Sequence, residues 1–289
     1  MILDNDILHV EISEKGAEIV SLSKHGVQYL WNADANYWNR HAPILFPIVG
    51  RLCENKYRWG GREYPMNQHG FARDSRFAPT GNRGEMRLVE KPSKDVYPFD
   101  FDLSVCYELE GNRVKALWKV VNTDDQEMCF QIGAHPGFML PQYDENEMIH
   151  GYLRFYDKKG NRIDPQEHSS LEDGLRVHRA VPQTLSEDGE LAIMGLTFRH
   201  GAIIYENGQV AAVELLDQNR NKILSVQCDQ AEAFGIWAPY KMGCPFVCIE
   251  PWCGIADRKD FTGDISQRDY IHKLQPGGTF EFGYSITIG

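Results

Sequence analysis

The sequence predicts an all-β protein, an antiparallel sandwich or barrel, and three observations carry that expectation. Short segments of alternating apolar and polar residues recur along the chain, each closed by Gly, Asn or Asp. The 26 glycines and 14 prolines among 289 residues supply turns for many short strands. Helical periodicity over ten or more residues is scarce: Met139 to Ile149 could hold a turn or two, but Pro141 and scattered acids weaken it.

The elements follow in chain order. Leu8-His9-Val10-Glu11-Ile12 alternates and is followed by Lys15-Gly16. A short segment around Ile19 to Leu22, the turn His25-Gly26 and Val27 to Trp31 complete three strands. Tyr57-Arg58-Trp59, Gly60-Gly61 and Arg62-Glu63-Tyr64 spell a hairpin. Leu103 to Leu109 and Arg113 to Val121 alternate on either side of Glu110-Gly111-Asn112. Met128 to Ile132 reads as the end of a strand. Ala202 to Tyr205, Val210 to Leu216, Ile223 to Val226 and the closing Thr279 to Ile288 repeat the pattern, with turns at Asn207-Gly208 and Asp217 to Asn221. No composition shift, repeat or charged linker divides the chain, so residues 1–289 are expected to form one domain.

Composition narrows the function. The chain carries 30 Lys and Arg against 41 Asp and Glu, a formal charge of −11. Such a surface repels phosphate backbones and argues against a nucleic-acid partner. The longest apolar runs, such as Ala42 to Val49, are far too short to span a bilayer, and Met1 to Asp6 has no basic region followed by an apolar one. A cytoplasmic protein with no membrane partner is the expectation. Seven cysteines, with Cys244, Cys248 and Cys253 closest together, lack the paired spacing of a structural zinc site and read as reduced, often buried thiols.

Four segments concentrate reactive groups. Pro43 to Arg51 ends an apolar run in Gly50-Arg51, offering a rigid fork of five donors; the plainer alternative is an arginine on a carbonyl or surface acid. Asn67 to Asp74 sets His69 before Gly70, where the backbone tolerates close approach, with Arg73 four residues on. Gly133 to Phe138 holds His135 before Pro136, which restricts it to an extended pose suited to a positioned acid or base. Pro245 to Gly254 ends an apolar strand at Glu250, beside Pro251 and Trp252. A carboxyl at the mouth of a core strand is desolvated, which raises its pKa toward that of a general base near neutrality. Upstream, Trp237 and Tyr240 near a turn offer flat aromatic faces of the kind sugars rest on, though core packing uses the same residues. Two His, one Glu, Arg and Trp together suit proton transfer on a sugar. A metal held by His69, His135 and Glu250 ranks well below direct acid–base chemistry, because no local spacing fixes a ligand geometry.

At these segments the chain resembles the aldose 1-epimerase (galactose mutarotase-like) family, and most closely its shorter bacterial LacX-type branch. The motifs that carry the resemblance are Phe46-Pro47-Ile48-Val49-Gly50-Arg51, His69-Gly70-Phe71-Ala72-Arg73-Asp74, Gly133-Ala134-His135-Pro136-Gly137-Phe138 and Cys248-Ile249-Glu250-Pro251-Trp252. The resemblance implies a large antiparallel β-sandwich of the supersandwich type, and a mechanism without cofactor or metal. By this likeness Glu250 is the base that takes the proton of the anomeric hydroxyl, and His135 the acid that protonates the ring oxygen. His69 and Arg51 bind sugar hydroxyls and stabilise charge developing on oxygen, and Arg73 matches an arginine that approaches the phosphate in a hexose-6-phosphate branch; Trp237 is expected to contact the substrate on the strength of its aromatic face alone. Where the family commonly places an Asp that contacts a sugar hydroxyl, this chain has Arg199-His200-Gly201-Ala202. Three functions are therefore carried forward: a mutarotase for a free hexose, one for a hexose phosphate, and a carbohydrate-binding protein without catalysis. The expected partner is a small sugar, with the chain a monomer or homodimer.

Overall fold

The computed structural model describes residues 1–240 and 244–289, with the backbone alone at 178 and 179. Among the described residues there are 26 strands and three single-turn 3-10 helices, and no α-helix. The alternation in the sequence becomes alternation in burial. In Phe101–Glu110, Phe101, Leu103, Val105 and Tyr107 are buried while the residues between them are not. Arg113–Asn122 does the same through Val114, Ala116, Trp118 and Val120. The two pair antiparallel over their whole length, from Phe101 opposite Asn122 to Glu110 opposite Arg113. Thr279–Ile288, Lys222–Gln227, Ala212–Leu216 and Gly151–Tyr156 extend this ladder into a ten-stranded sheet.

The opposing sheet has eight strands. Its order is Leu175–Pro182, Glu167–Glu172, Ile203–Tyr205, Ala233–Trp237, Phe246–Cys253, Ile132–Ala134 and Ile44–Leu45, with Gly137–Met139 also paired to Phe246–Cys253. The strand Phe246–Cys253 is buried at all eight positions, as a short unbroken apolar run at the centre of a layered fold must be. One hydrophobic cluster joins Val105, Val114, Trp118 and Ile286 of the larger sheet to Ile132, Phe234, Ile236 and Ile249 of the smaller. The architecture is an antiparallel β-sandwich, as predicted. A four-stranded sheet, Ile2–Asp4 to Val27–Gln28, and the hairpin Lys56–Trp59 with Arg62–Pro65 complete the N-terminal third.

The turn or two of helix considered for Met139 to Ile149 does not form. Met139 ends a strand, and the segment beyond is a series of turns. The Asp144 carboxylate accepts the backbone N–H of Asn146 at 2.9 Å, a local bond that competes with helix. The third expected strand also shortens to Val27–Gln28, with Leu30 keeping only an isolated bridge to Phe138. No helix among the described residues is long and apolar enough to cross a membrane.

Candidate active site

Strand register builds the centre of the site. Gly133 pairs with Trp252 and Gly137 with Cys248, both across the strand Phe246–Cys253. The two ladders share one register, so His135, at the break between them, stands opposite Glu250. Directly opposed residues of an antiparallel pair point to the same face with their Cβ atoms about 5 Å apart. Their side chains therefore meet: His135 Nε2 lies 3.2 Å from Glu250 Oε2. The break is pinned by backbone bonds, His135 N–H donating to the Pro43 carbonyl at 3.1 Å and Ile249 N–H to that of Pro136 at 3.1 Å. On the other side of Glu250 stands Gly235, where a Cβ would strike the Trp252 indole at 2.5 Å.

Aromatic rings fix the imidazole. Trp38 stacks on His135 with ring centroids 4.8 Å apart and planes at 30°. Trp237 and His69 meet it edge-on, at 5.6 Å and 5.5 Å. Burial pushes the His135 pKa down to about 3, with the Arg73 and Arg40 charges acting in the same direction. Glu250 is 1% exposed, and burial pushes its pKa well above the usual carboxylate range against a smaller opposing effect of the Trp252 indole. Burial thus favours the neutral form of both groups, a neutral imidazole facing a carboxyl that holds its proton above the usual range. The contact is close without being aligned, since Glu250 Oε2 and His135 Nδ1 are buried with no hydrogen-bond partner. Those lone pairs and donors are available to a ligand.

His69 is held by an unusual backbone. Its φ is 65°, and Gly70 beside it has φ 71° and no room for a Cβ, which would lie 2.2 Å from the Phe46 carbonyl oxygen. Gly50 N–H donates to His69 Nδ1 at 3.1 Å, which leaves the ring proton on Nε2, itself 3.2 Å from the Gln68 side-chain amide. Desolvation, with the charges of Arg73 and Arg40 adding to it, keeps this histidine neutral. A single 3-10 turn, Ala72–Asp74, presents Arg73. Its Nη2 donates to the Gln68 carbonyl at 2.6 Å, while Nε is buried without a hydrogen-bond acceptor. Burial and the nearby Arg40 lower the Arg73 pKa to about 10, so it stays charged at neutral pH.

These groups surround a cavity of about 610 Å³. His69, Arg73, His135, Trp237 and Glu250, all singled out in the sequence, line it. Arg51 does not. Its Nη1 donates to the Asp173 carbonyl at 2.8 Å and its Nε to Asn55 at 3.3 Å, so it props the Asp173-Gly174 turn at the rim. Arg199 and His200 also line the cavity, Arg199 Nε donating to His200 Nε2 at 3.0 Å; the segment lacking the family's Asp thus brings a cation and an imidazole to the wall. Trp38 went unanticipated. It lies in a polar loop, Asn32 to Asn39, without strand pattern, and the only signal was an aromatic pair, Tyr37-Trp38, with no core face to fill. A concavity of about 710 Å³ lies elsewhere, and one of about 810 Å³ adjoins the site through Leu171 and the segment Arg199 to Ala202; neither is lined by His135 or Glu250.

The comparisons with known proteins bear on family and fold. A family model described as aldose 1-epimerase matches residues 1–287. The plasmid-encoded protein LacX of Lactococcus lactis subsp. lactis is 30% identical over 99% of this chain and 98% of its own length, and the chromosomal LacX of the same organism matches equally. Among solved structures, a galactose mutarotase related enzyme from Lactobacillus acidophilus superposes with a TM-score of 0.88 at 33% identity, covering 100% of this chain and 97% of that one. A galactose mutarotase-like protein from Lactobacillus casei, at 24% identity, shares the fold with a TM-score of 0.89 over 100% of this chain and 99% of its own.

Proposed function

The chain belongs to the aldose 1-epimerase family, and from that premise we propose that it interconverts the α and β anomers of a hexose by opening and reclosing the pyranose ring. The observation that carries the reading is the 3.2 Å approach of His135 Nε2 to Glu250 Oε2 in the cavity wall. The anomeric hydroxyl and the ring oxygen are bonded to the same carbon, so two groups this close can serve both. The pair holds one proton. With that proton on His135, the Glu250 carboxylate takes the proton of the C1 hydroxyl as His135 gives its own to the ring oxygen. The C1–ring oxygen bond breaks and C1 becomes an aldehyde carbon. Rotation about C1–C2 presents its other face, and the two transfers run backwards to give the other anomer. Proton count and charge are unchanged over the cycle.

The surrounding residues bind and orient. The Trp38 and Trp237 faces take the apolar side of the ring. His69, its proton on Nε2, donates to a ring or hydroxyl oxygen. Arg73 offers its unpartnered Nε to a hydroxyl, and Arg51 acts one layer back by holding the Asp173-Gly174 turn. The test follows optical rotation of freshly dissolved α-D-glucose and α-D-galactose with and without protein. Acceleration is expected. In Glu250→Gln it falls by about 10²–10⁴-fold, the usual contribution of a positioned acid or base. An undiminished rate in that variant rejects the assignment.

The cation-rich wall favours a second reading, a phosphorylated hexose, with Arg73 and Arg199 meeting the phosphate. Arg73→Ala then weakens turnover of hexose 6-phosphates while sparing free sugars; an equal loss on both excludes it. A binding protein without catalysis would register sugar by calorimetry and leave anomer exchange at its rate in water.

A further inference from the structure

Away from the sugar cavity, the ends of three strands bring a carboxylate, a thiol and an imidazole together. Ala233 pairs with Trp252, so Glu232 and Cys253 are neighbours at the next step of the same ladder. Glu232 N–H donates to the Trp252 carbonyl at 2.9 Å, which fixes that step. His272 opens the strand His272–Leu274 opposite Phe130. Its ring packs between Phe280 and Phe130, with centroids at 4.7 and 5.7 Å. One ligand atom from each of Glu232, Cys253 and His272 lies within 4.8 Å of the others.

Two features set this corner apart from an ordinary polar contact. Glu232 Oε2 and His272 Nε2, 3.3 Å apart, are both buried at the atom and neither has a hydrogen-bond partner. Cys253 is 2% exposed, and its thiol meets the Gln230 carbonyl at 3.3 Å and the backbone of Glu232. Buried polar atoms left unsatisfied cost stability, and a native structure that keeps them in a cluster has a use for them. None of the three residues lines the sugar cavity.

We propose that Glu232, Cys253 and His272 form a site for a thiophilic divalent cation of the zinc type, with the fourth position left to water. The donor set is that of such ions: a thiolate, an imidazole nitrogen and a carboxylate oxygen, two negative charges against two positive. Metal–ligand bonds of about 2.0–2.3 Å set tetrahedral ligand atoms roughly 3.5 Å apart. Small side-chain rotations reach that spacing from the present one. Binding displaces the thiol proton to solvent and adds bonds among three strand ends already held by backbone pairing, the Glu232–His272 contact and the Phe130 and Phe280 rings.

The test titrates the reduced full-length protein with Cd²⁺ and follows the thiolate-to-cadmium charge-transfer absorbance, together with the melting temperature in Zn²⁺. One equivalent of absorbance and a raised melting temperature are expected. Both disappear in Cys253→Ser and persist in Cys248→Ser. Affinity falls in His272→Ala and Glu232→Gln by more than the about 10–100-fold that a lost outer-sphere partner costs. These two side chains are partly exposed, so their variants keep the test decisive if Cys253→Ser fails to fold. Absorbance that survives Cys253→Ser, affinity indifferent to His272, or no absorbance in the unmodified protein overturns the proposal. None of these readouts depends on sugar chemistry.

Discussion

Burial acts in opposite directions on the two groups of the central pair, raising the Glu250 pKa and lowering that of His135 to about 3, and the consequences at the scale of the residue follow from sign alone. In the proposed mechanism the singly protonated pair is the working form. A second proton, gained as pH falls toward about 3, removes the base. Loss of the remaining proton, as pH rises through the elevated Glu250 value, removes the acid. The expected kcat/KM profile is flat between these limits, and its limbs belong to the pair rather than to either residue. An acid limb breaking near 6.5, the ordinary histidine value, contradicts it. Stability supplies a second check. Above the unfolded carboxyl value of 4.5 the folded protein holds a proton on Glu250 that the unfolded chain releases, so this contribution is present in full below 4.5 and declines as pH rises. Glu250→Gln has no such decline. Its melting temperature relative to the unmodified protein should climb with pH over that window, and a constant difference would show that Glu250 is ionised when folded. The histidine contribution has the other sign, present above 6.5 and lost as pH falls toward about 3, and the two proteins share it.

At the scale of the element, what was legible depended on whether one face of a strand met the core. Leu103 to Leu109 and Arg113 to Val121 announce themselves because one face packs on the opposing sheet and the other meets solvent. Glu167–Glu172, second from the edge of its sheet, was silent because it is nowhere fully buried and carries no apolar alternation. The site was legible where chemistry and strand coincide, as at Glu250 in a strand buried throughout. Trp38 and Arg199 come from loops whose position follows from tertiary packing alone. So does the outward turn of Arg51, since nothing near it in sequence foretells the Asp173 carbonyl. A buried network holds the loop after Val49 against Ile255 and Asp257. Arg268 Nε donates to Asp257 at 2.5 Å, its Nη1 to Gln131 at 2.8 Å and its Nη2 to the Ile255 carbonyl at 3.0 Å, while Gln131 accepts the Val49 N–H at 3.1 Å. Removing one partner of such a pair leaves a buried charge. Arg268→Met should cost about 3–5 kcal/mol by denaturant titration, and adding Asp257→Asn should recover part of it. Additive losses would mean the two do not act as a pair. Gly50 sits at the front of the same loop, at φ 74°, where a Cβ would lie 2.5 Å from that of Ala256. Gly50→Ala should cost about 1–3 kcal/mol through overpacking, and should lower mutarotation further by moving the N–H that orients His69.

At the scale of the whole molecule, the site is assembled from residues scattered between Trp38 and Trp252, and two packed sheets are what bring them together. The smaller sheet supplies Glu250 from an interior strand and His135 from the break between the two short strands paired with it; segments outside the sheet supply His69, Arg73 and Arg199. A sugar in the cavity therefore touches segments that share no local structure, and it can be held only while the sandwich is intact. Ligand that binds the folded state alone stabilises it by mass action, by about 2.7 kcal/mol at a concentration 100 times the dissociation constant. For a chain of this size that is a rise of several degrees in melting temperature. Glu250→Gln keeps the cavity and its aromatic walls, so its melting temperature should rise with sugar almost as far as that of the unmodified protein while its mutarotation is lost. Trp38→Ala should do the reverse, losing most of the thermal shift and raising KM more than it lowers kcat, because stacking on the sugar contributes to binding before and during ring opening alike. The pairing of these two variants separates holding the sugar from opening it. If no aldose, free or phosphorylated, shifts the melting temperature of the unmodified protein, the cavity is not a sugar site and the acid–base pair at its wall serves some other ligand.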